Sequence, residues 1–305
     1  MKLLSNDQRL NYKFDPALNF GFEKHSLDLG FTLVMSITKP EAIKGVKGRA
    51  IYFDLEEPNR FFVKNWNPDE NREWDQYLTI DPYSNQFFRS KEGRAGESVF
   101  IPTDPDKVPP ILQKRKYDLV YTGHLVSADL LKTLTGLSRK FNVAVVSNSD
   151  HPLVTHKGLN YEEKLEVISN SRAALIHNVL WPAKDDIKTL KNKVPLWREH
   201  GAFSHLNQRS LFDTPVVPQL KSRLFEAAFC GAAPLILRDD WHLAERFFPS
   251  NLVPTIGAKH VTQNIEDILA SGSELTTIGL EAREVAFQNF TTAHFIEKFL
   301  VPFAS

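Results

Sequence analysis

Short apolar runs, each broken by Gly, Pro, Asn or Asp, recur along the chain. F-T-L-V-M-S-I at residues 31–37 is nearly continuous and rich in strand formers, and it stops at Lys39-Pro40, which predicts a buried strand. R-A-I-Y-F at 49–53 predicts a second strand, running into the acidic turn D-L-E-E-P at 54–58. Q-Y-L-T-I at 76–80 predicts a third, after which Pro82 and Ser84 open a helix through Phe87 and Phe88. Between Arg89 and Pro110 lies the densest cluster of Gly and Pro in the chain, the expected domain boundary.

Beyond it the alternation sharpens. Y-D-L-V-Y-T at 117–122 reads as a strand ending at Gly123, and residues 127–141 carry Leu130, Leu131, Leu134 and Leu137 at helical spacing. N-V-A-V-V-S at 142–147 is a strand, Asn160 caps a helix with Glu163 at the capping-box position, and A-A-L-I-H at 173–177 is a strand again. Residues 221–230 form a helix that turns Leu224, Ala227 and Ala228 inward and puts Arg223 and Glu226 on one face; Gly231 ends it. A strand at 233–237, a helix at 241–248 and a terminal helix at 281–300 complete the reading; residues 183–210 are charged and aperiodic, with K-D-D-I-K-T-L-K-N-K at 184–193 resembling an exposed helix. Strands alternating with helices predict parallel, doubly wound sheets, one in each half of the chain.

A length of 305 residues suits two such domains. With 42% hydrophobic and 24% charged residues the chain is a folding one. Lys plus Arg and Asp plus Glu both number 37, so there is no global basic field for a nucleic acid. Cys230, the single cysteine, has no disulfide partner and no zinc-site companion, and its apolar neighbours make it a small buried residue. The first ten residues lack the apolar core of a signal peptide, and no run approaches the ~18 apolar residues of a membrane span. The expectation is a cytoplasmic protein with no membrane span.

Candidate chemistry gathers on the 221–230 helix. Lys221 and Arg223 put fixed cations at the positive end of a helix dipole, which suits a diphosphate. Glu226 on the same face can accept hydrogen bonds from ribose hydroxyls; the bland reading is a surface ion pair worth about 0.3–0.5 kcal/mol. Gly123 and His124 follow a strand end, where a residue without a Cβ lets backbone amides approach a phosphate, and His177 and Asn178 end another strand, where ligands of open α/β sheets bind. Asp54 reads either as a general base or as a solvated turn acid beside Glu56 and Glu57. Asp239 and Asp240 could imitate an acidic pair that holds a divalent ion against a diphosphate.

R-L-F-E-A-A-F-C-G-A-A-P-L-I at 223–236, followed by L-A-E-R-F-F-P at 243–249, resembles the donor-binding segment of GT-B glycosyltransferases, especially the CgeB-like, spore maturation group. That resemblance implies an α/β fold of two Rossmann-like domains whose parallel sheets face across a cleft. It implies that Glu226 binds the ribose and Arg223 the diphosphate of a nucleotide sugar, with Lys221 as a second cation. Y-D-L-V-Y-T-G-H at 117–124 is similar to the first strand and loop of the donor domain, bringing in Gly123 and His124. H-K-G-L-N-Y-E-E-K-L at 156–165 is similar to the loop and helix flanking the base, bringing in Gly158 and Leu159; S-R-A-A-L-I-H-N at 171–178 is similar to the strand leading to the sugar, bringing in His177 and Asn178. Residues 1–108 would form the acceptor domain and 109–285 the donor domain, with 286–305 a terminal helix crossing back to the first. Bacteriophage DNA β-glucosyltransferases share an Arg-x-x-Glu pair and a catalytic Asp four residues before a Pro, as Asp54 precedes Pro58.

The resemblance implies a metal-independent transfer from a nucleotide diphosphate sugar, UDP-linked by preference, to a hydroxyl of a polysaccharide, a protein or a modified DNA base, with no further cofactor. Asp54 would serve as base. A nucleotide-sugar epimerase and a non-catalytic nucleotide-sugar or glycan binder are the alternatives. The glycine fingerprints of dehydrogenases and P-loop enzymes and the nucleophile elbow of α/β-hydrolases are absent from the sequence.

Overall fold

Parallel strands buried on both faces account for the continuous apolar runs. The computed structural model describes residues 2–6, 19–25, 30–36, 48–55, 74–80, 85, 90–125, 128–180, 217–237, 239, 242–257 and 259–304. They divide into two units, one holding the described residues up to Asp104 and from Thr292 onward, the other the described residues from Pro105 to Thr291.

In the first unit, β1 (Lys2–Asn6), β2 (Thr32–Ser36), β3 (Ala50–Asp54), β4 (Gln76–Thr79) and β5 (Glu97–Ser98) lie side by side in that order, each parallel to the next. β3 is buried along its whole length, and Tyr52, Phe53 and Tyr77 are among the largest fully enclosed side chains. β1 is an addition to the sequence reading. Its pattern is too short to announce a strand, and the register of Leu3 and Leu4 against Leu33 and Val34 supplies what the pattern lacks.

The second unit contains β6 (Tyr117–Thr122), α1 (Ala128–Ser138), β7 (Val143–Val146), α2 (Tyr161–Ser169), β8 (Ser171–Ile176), the short antiparallel pair β9 (Val179–Leu180) and β10 (Val217–Pro218), α3 (Ser222–Phe229), β11 (Ala233–Leu237), β12 (Thr255–Ile256), α4 (Val261–Ala270) and α5 (Gly272–Asn289). Its main sheet is parallel, with strand order β12-β11-β8-β6-β7. Leu130, Leu134 and Leu137 of α1 pack into one core with Leu119, Val145, Leu175 and Leu235. α2 carries the full capping box: the Asn160 side chain accepts from the Glu163 N–H, and the Glu163 carboxylate accepts from the Asn160 N–H. The chain then returns to the first unit in α6 (Thr292–Phe295), a π-helical turn (Ile296–Leu300) and α7 (Val301–Ala304).

The strand order places the site. From β6 the chain steps outward to β7, then crosses back to β8 on the other side of β6, so the topology switches direction between β6 and β8. In open α/β sheets the crevice beyond the carboxyl ends of two such strands is where ligands bind. Gly123 and His124 follow β6; His177 and Asn178 follow β8.

Two expected helices differ from the structure. Residues 243–247 form a turn rather than a helix, because the buried Asp239 carboxylate takes the Ala244 N–H at 2.7 Å and closes it. Trp241 lies outside the described residues, as does all of 183–210; of the helix expected after Asp81 only Asn85 is described, as a turn residue. The terminal helix is interrupted between Asn289 and Thr292. Phe290 packs edge-on against Phe225 and Phe248 in the second unit, whereas Phe295 packs among Phe22, Phe53 and Phe100 in the first, so the two rings serve different cores.

Candidate functional site

α3 starts where Lys221 leaves the extended conformation, and it stops at Gly231, whose φ of +69° suits a residue without a side chain. Its first turn carries Arg223 back over the ends of β6 and β8. The guanidinium lies where a Cβ on Gly123 would be, an ideal Cβ there falling 2.5 Å from Arg223 Cζ. Gly123 has φ +132°, a backbone shape reserved for glycine, and its N–H is already bonded to the Val146 carbonyl at 2.9 Å. What Gly123 provides is therefore space for a cation, not a free amide.

On its other side Arg223 Nη1 approaches His177 Nε2 at 3.4 Å. The Tyr121 hydroxyl donates to the His124 carbonyl at 2.8 Å and also meets His177 Nε2 at 2.9 Å. A hydroxyl has one proton, so Nε2–H is the donor to Tyr121, and the Arg223 approach is packing against the imidazole rather than a hydrogen bond. The Tyr121 and His177 rings stack beneath, with centroids 5.7 Å apart. Burial raises the Tyr121 pKa, and the positive charge of Arg223 opposes that rise. His124 is itself exposed and contributes its carbonyl.

Asn178, fully buried, accepts the Lys221 N–H on Oδ1 at 3.3 Å and gives its own carbonyl to Gln219 N–H at 2.8 Å. Its Nδ2 is buried without a partner. The Lys221 ammonium donates to the Gln219 side chain.

Glu226 lies one turn further along α3 and is 1% exposed. Its partner is not Arg223, the pair a surface-helix reading would suggest. Oε1 instead receives the Lys164 ammonium of α2 at 2.8 Å, while Oε2 is buried with no hydrogen-bond donor. An unpaired buried acceptor is costly, and at a site it marks a place for a ligand donor. Lys164 is the residue the sequence reading missed. The legible signal was its position three residues after Tyr161 on the face of α2 that buries Tyr161, Leu165 and Ile168.

Gly158 and Leu159 stand just before α2. Gly158 has φ +73° and donates its N–H to the Asn148 side chain at 2.9 Å, which fixes the approach to the Asn160 cap. Among the described contacts these two reach the site only through α2. Cys230 is fully buried, and burial pushes its thiol up to about 12, which makes it chemically inert at neutral pH.

Asp54, in the first unit, is fully buried. The solvated-acid alternative is corrected: β3 runs one residue further than the apolar pattern suggests, so Asp54 belongs to the carboxyl edge of the sheet, in register with Ser36 and Thr79, and not to the turn. Its charge adds to burial and to Tyr52 in raising the Tyr77 pKa. Among the described residues no group of three His, Cys, Asp or Glu side chains is arranged to hold a metal ion; Asp239 is spent on its turn, and Asp240 is outside the described residues.

No family model and no curated protein matches the sequence. Solved structures do. A mutant of S. aureus TarM in complex with Fondaparinux, alpha-GlcNAc-glycerol and UDP aligns with a TM-score of 0.54 at 9% identity, covering 96% of this chain and 60% of that one. TarM in a second crystal structure aligns with a TM-score of 0.51 at 10% identity, covering 96% and 59%. The fold is GT-B. At such low identity the likeness concerns the fold alone, and the chain spans about 60% of the length of TarM. Within the GT-B framework, Gly123, His177, Arg223 and Glu226 belong to the second of the two units and Asp54 to the first. Among the described residues no helix is long and apolar enough to cross a membrane.

Proposed function

We propose that the protein transfers a sugar from a nucleoside diphosphate sugar, with a UDP-sugar as the favoured donor, to an acceptor hydroxyl. The observation that carries this reading is the Arg223 guanidinium seated over Gly123 and against His177 at the topological switch point, one helical turn from the buried Glu226. A fixed cation at the first turn of α3 meets the charge that develops on a leaving diphosphate, and the helix dipole adds to it. Lys221 is the second cation. Glu226 accepts a ribose hydroxyl, and Asn178 Nδ2 offers a donor to the donor's polar groups. The UDP in the TarM complex makes a uridine nucleotide the first ligand to try.

Asp54 is the proposed base, taking the proton of the acceptor hydroxyl as its oxygen attacks the anomeric carbon; with one base and no covalent intermediate the displacement inverts the anomer. Glycan and protein hydroxyls are the acceptors we favour, because a net charge of zero supplies no field for a DNA backbone.

The test is a thermal-shift panel of UDP-, GDP-, ADP-, CMP- and dTDP-sugars. A ligand at 100 times its Kd adds about 2.7 kcal/mol of stability. One clear stabiliser is expected, and its effect should vanish in Arg223→Ala and Glu226→Ala. Asp54→Asn should keep the shift and lose transfer. Silence from every donor at millimolar concentration would sink the reading, while donor binding without transfer in the wild type would mark a binding protein instead.

A further inference from the structure

Glu226 is an expensive residue to bury. Its side chain is 2% exposed, it sits among Leu224, Phe225, Ala227 and Ala228, and the group that balances its charge comes from another helix 62 residues away in sequence. We propose that Lys164 is a positioning residue that makes Glu226 a reader of ribose, and that through it the protein distinguishes ribonucleotides from deoxyribonucleotides. This rests on the donor-site reading and deepens it.

Three observations converge on Lys164. Its ammonium is only 2.8 Å from Glu226 Oε1, and its side chain is 23% exposed, so water screens the pair poorly. The same ammonium lies 4.6 Å from the centroid of the Tyr161 ring, which holds the lysine stem along the inner face of α2. α2 is in turn anchored at its start by the Asn160–Glu163 box and against α3 by the contact of the Cys230 thiol with the Leu165 carbonyl at 3.5 Å. The backbone at Lys164 is therefore held opposite Glu226, and the Tyr161 ring lines the path of its stem.

The consequence lies in the division of the carboxylate. Oε1 is occupied by the ammonium, and Oε2 has no donor. A buried, charged oxygen without a donor makes a strong hydrogen bond with the first hydroxyl that reaches it. A hydrogen atom in the place of that hydroxyl leaves the oxygen orphaned, and sites built to bond a hydroxyl reject analogues that lack it far more strongly than apolar sites do. Without Lys164 the carboxylate would be buried with no counter-charge and would not be held in place, and the reading of the hydroxyl would be lost along with it.

The experiment is calorimetric titration of the full chain with UDP, 2′-deoxy-UDP and 3′-deoxy-UDP, repeated with GDP and its deoxy forms. The wild type should bind a ribonucleotide at least about tenfold more tightly than one of its deoxy forms, the range of a charge-assisted hydrogen bond. In Lys164→Met that ratio should fall to about one, with the deoxy affinity little changed, and Lys164→Arg should restore part of it. If Lys164→Met is too unstable to titrate, Lys164→Arg carries the test: its ratio should lie between one and the wild-type value with the deoxy affinity little changed, and a ratio equal to that of the wild type would overturn the proposal. A merely structural lysine would weaken all the ligands equally and leave the ratio intact, and that result would overturn the proposal. A wild type that binds nucleoside diphosphates with no ribose preference would overturn it while sparing the diphosphate site. A wild type that binds none of them would overturn the donor-site reading and this one together.

Discussion

A methyl group at position 123 would occupy the volume that the Arg223 guanidinium fills, and the backbone there adopts φ +132°. Gly123→Ala should thus act on ligand binding through Arg223: UDP affinity by calorimetry should fall by about as much as in Arg223→Ala, roughly tenfold or more if one charge-assisted bond is lost. The double variant should be no weaker than the worse single one, since both remove the same interaction. Additive losses would mean that Gly123 touches the ligand by itself. At this scale the sequence was legible only as far as placing Arg223 and Glu226 one turn apart on one helix; it did not give their partners. It was not legible for Lys164 and Glu226, or for Gly123 and Arg223, because residues that far apart in sequence meet only after the strands have been ordered.

Elements were legible wherever their stabilising bonds are local. The Asn160–Glu163 box spans four residues and can be read from their identities alone. The turn at 243–247 and the break before Thr292 could not be read in this way, since a buried carboxylate closes the one and two separate aromatic clusters pull apart the other. The packing of α5 on the end of α3 carries a further expectation. A Cβ on Gly279 would land on the Gly231 carbonyl, 3.0 Å from its carbon and 3.2 Å from Ala233 N, and neither backbone atom can yield cheaply. Gly279→Ala should cost about 1–3 kcal/mol, the usual range for overpacking. Calorimetry should register this as a Tm lowered by several degrees, at roughly 2–4 °C per kcal/mol for a domain of this size. An unchanged Tm would mean that α5 slides to make room.

For the molecule as a whole, burial of weak acids sets the alkaline limit. Cys230 is pushed from its ordinary 9.0 up to about 12, and Tyr77 and Tyr121 are raised above 10.0, with burial the largest cause in each case. The unfolded chain releases these protons at the ordinary values while the folded chain holds them, so above pH ~9 the unfolded state binds fewer protons and is favoured. The stabilisation should be complete below pH 9 and be lost as pH rises toward 12, visible as a falling urea midpoint; Cys230→Ala should flatten the lower part of that slope. On its own, the sequence determined the parallel α/β class, most strands of both sheets, the cap of α2 and the segment bearing Arg223 and Glu226, because periodicity, capping and turn chemistry act over a few residues. Only the tertiary structure decided that β6 and β8 are neighbours at a switch point, that Asp54 is buried, and that Lys164 rather than Arg223 neutralises Glu226. Strand order and burial are properties of distant segments packed together, and charge pairs inside a protein form where desolvation forces a partner to be found, not where sequence spacing suggests one.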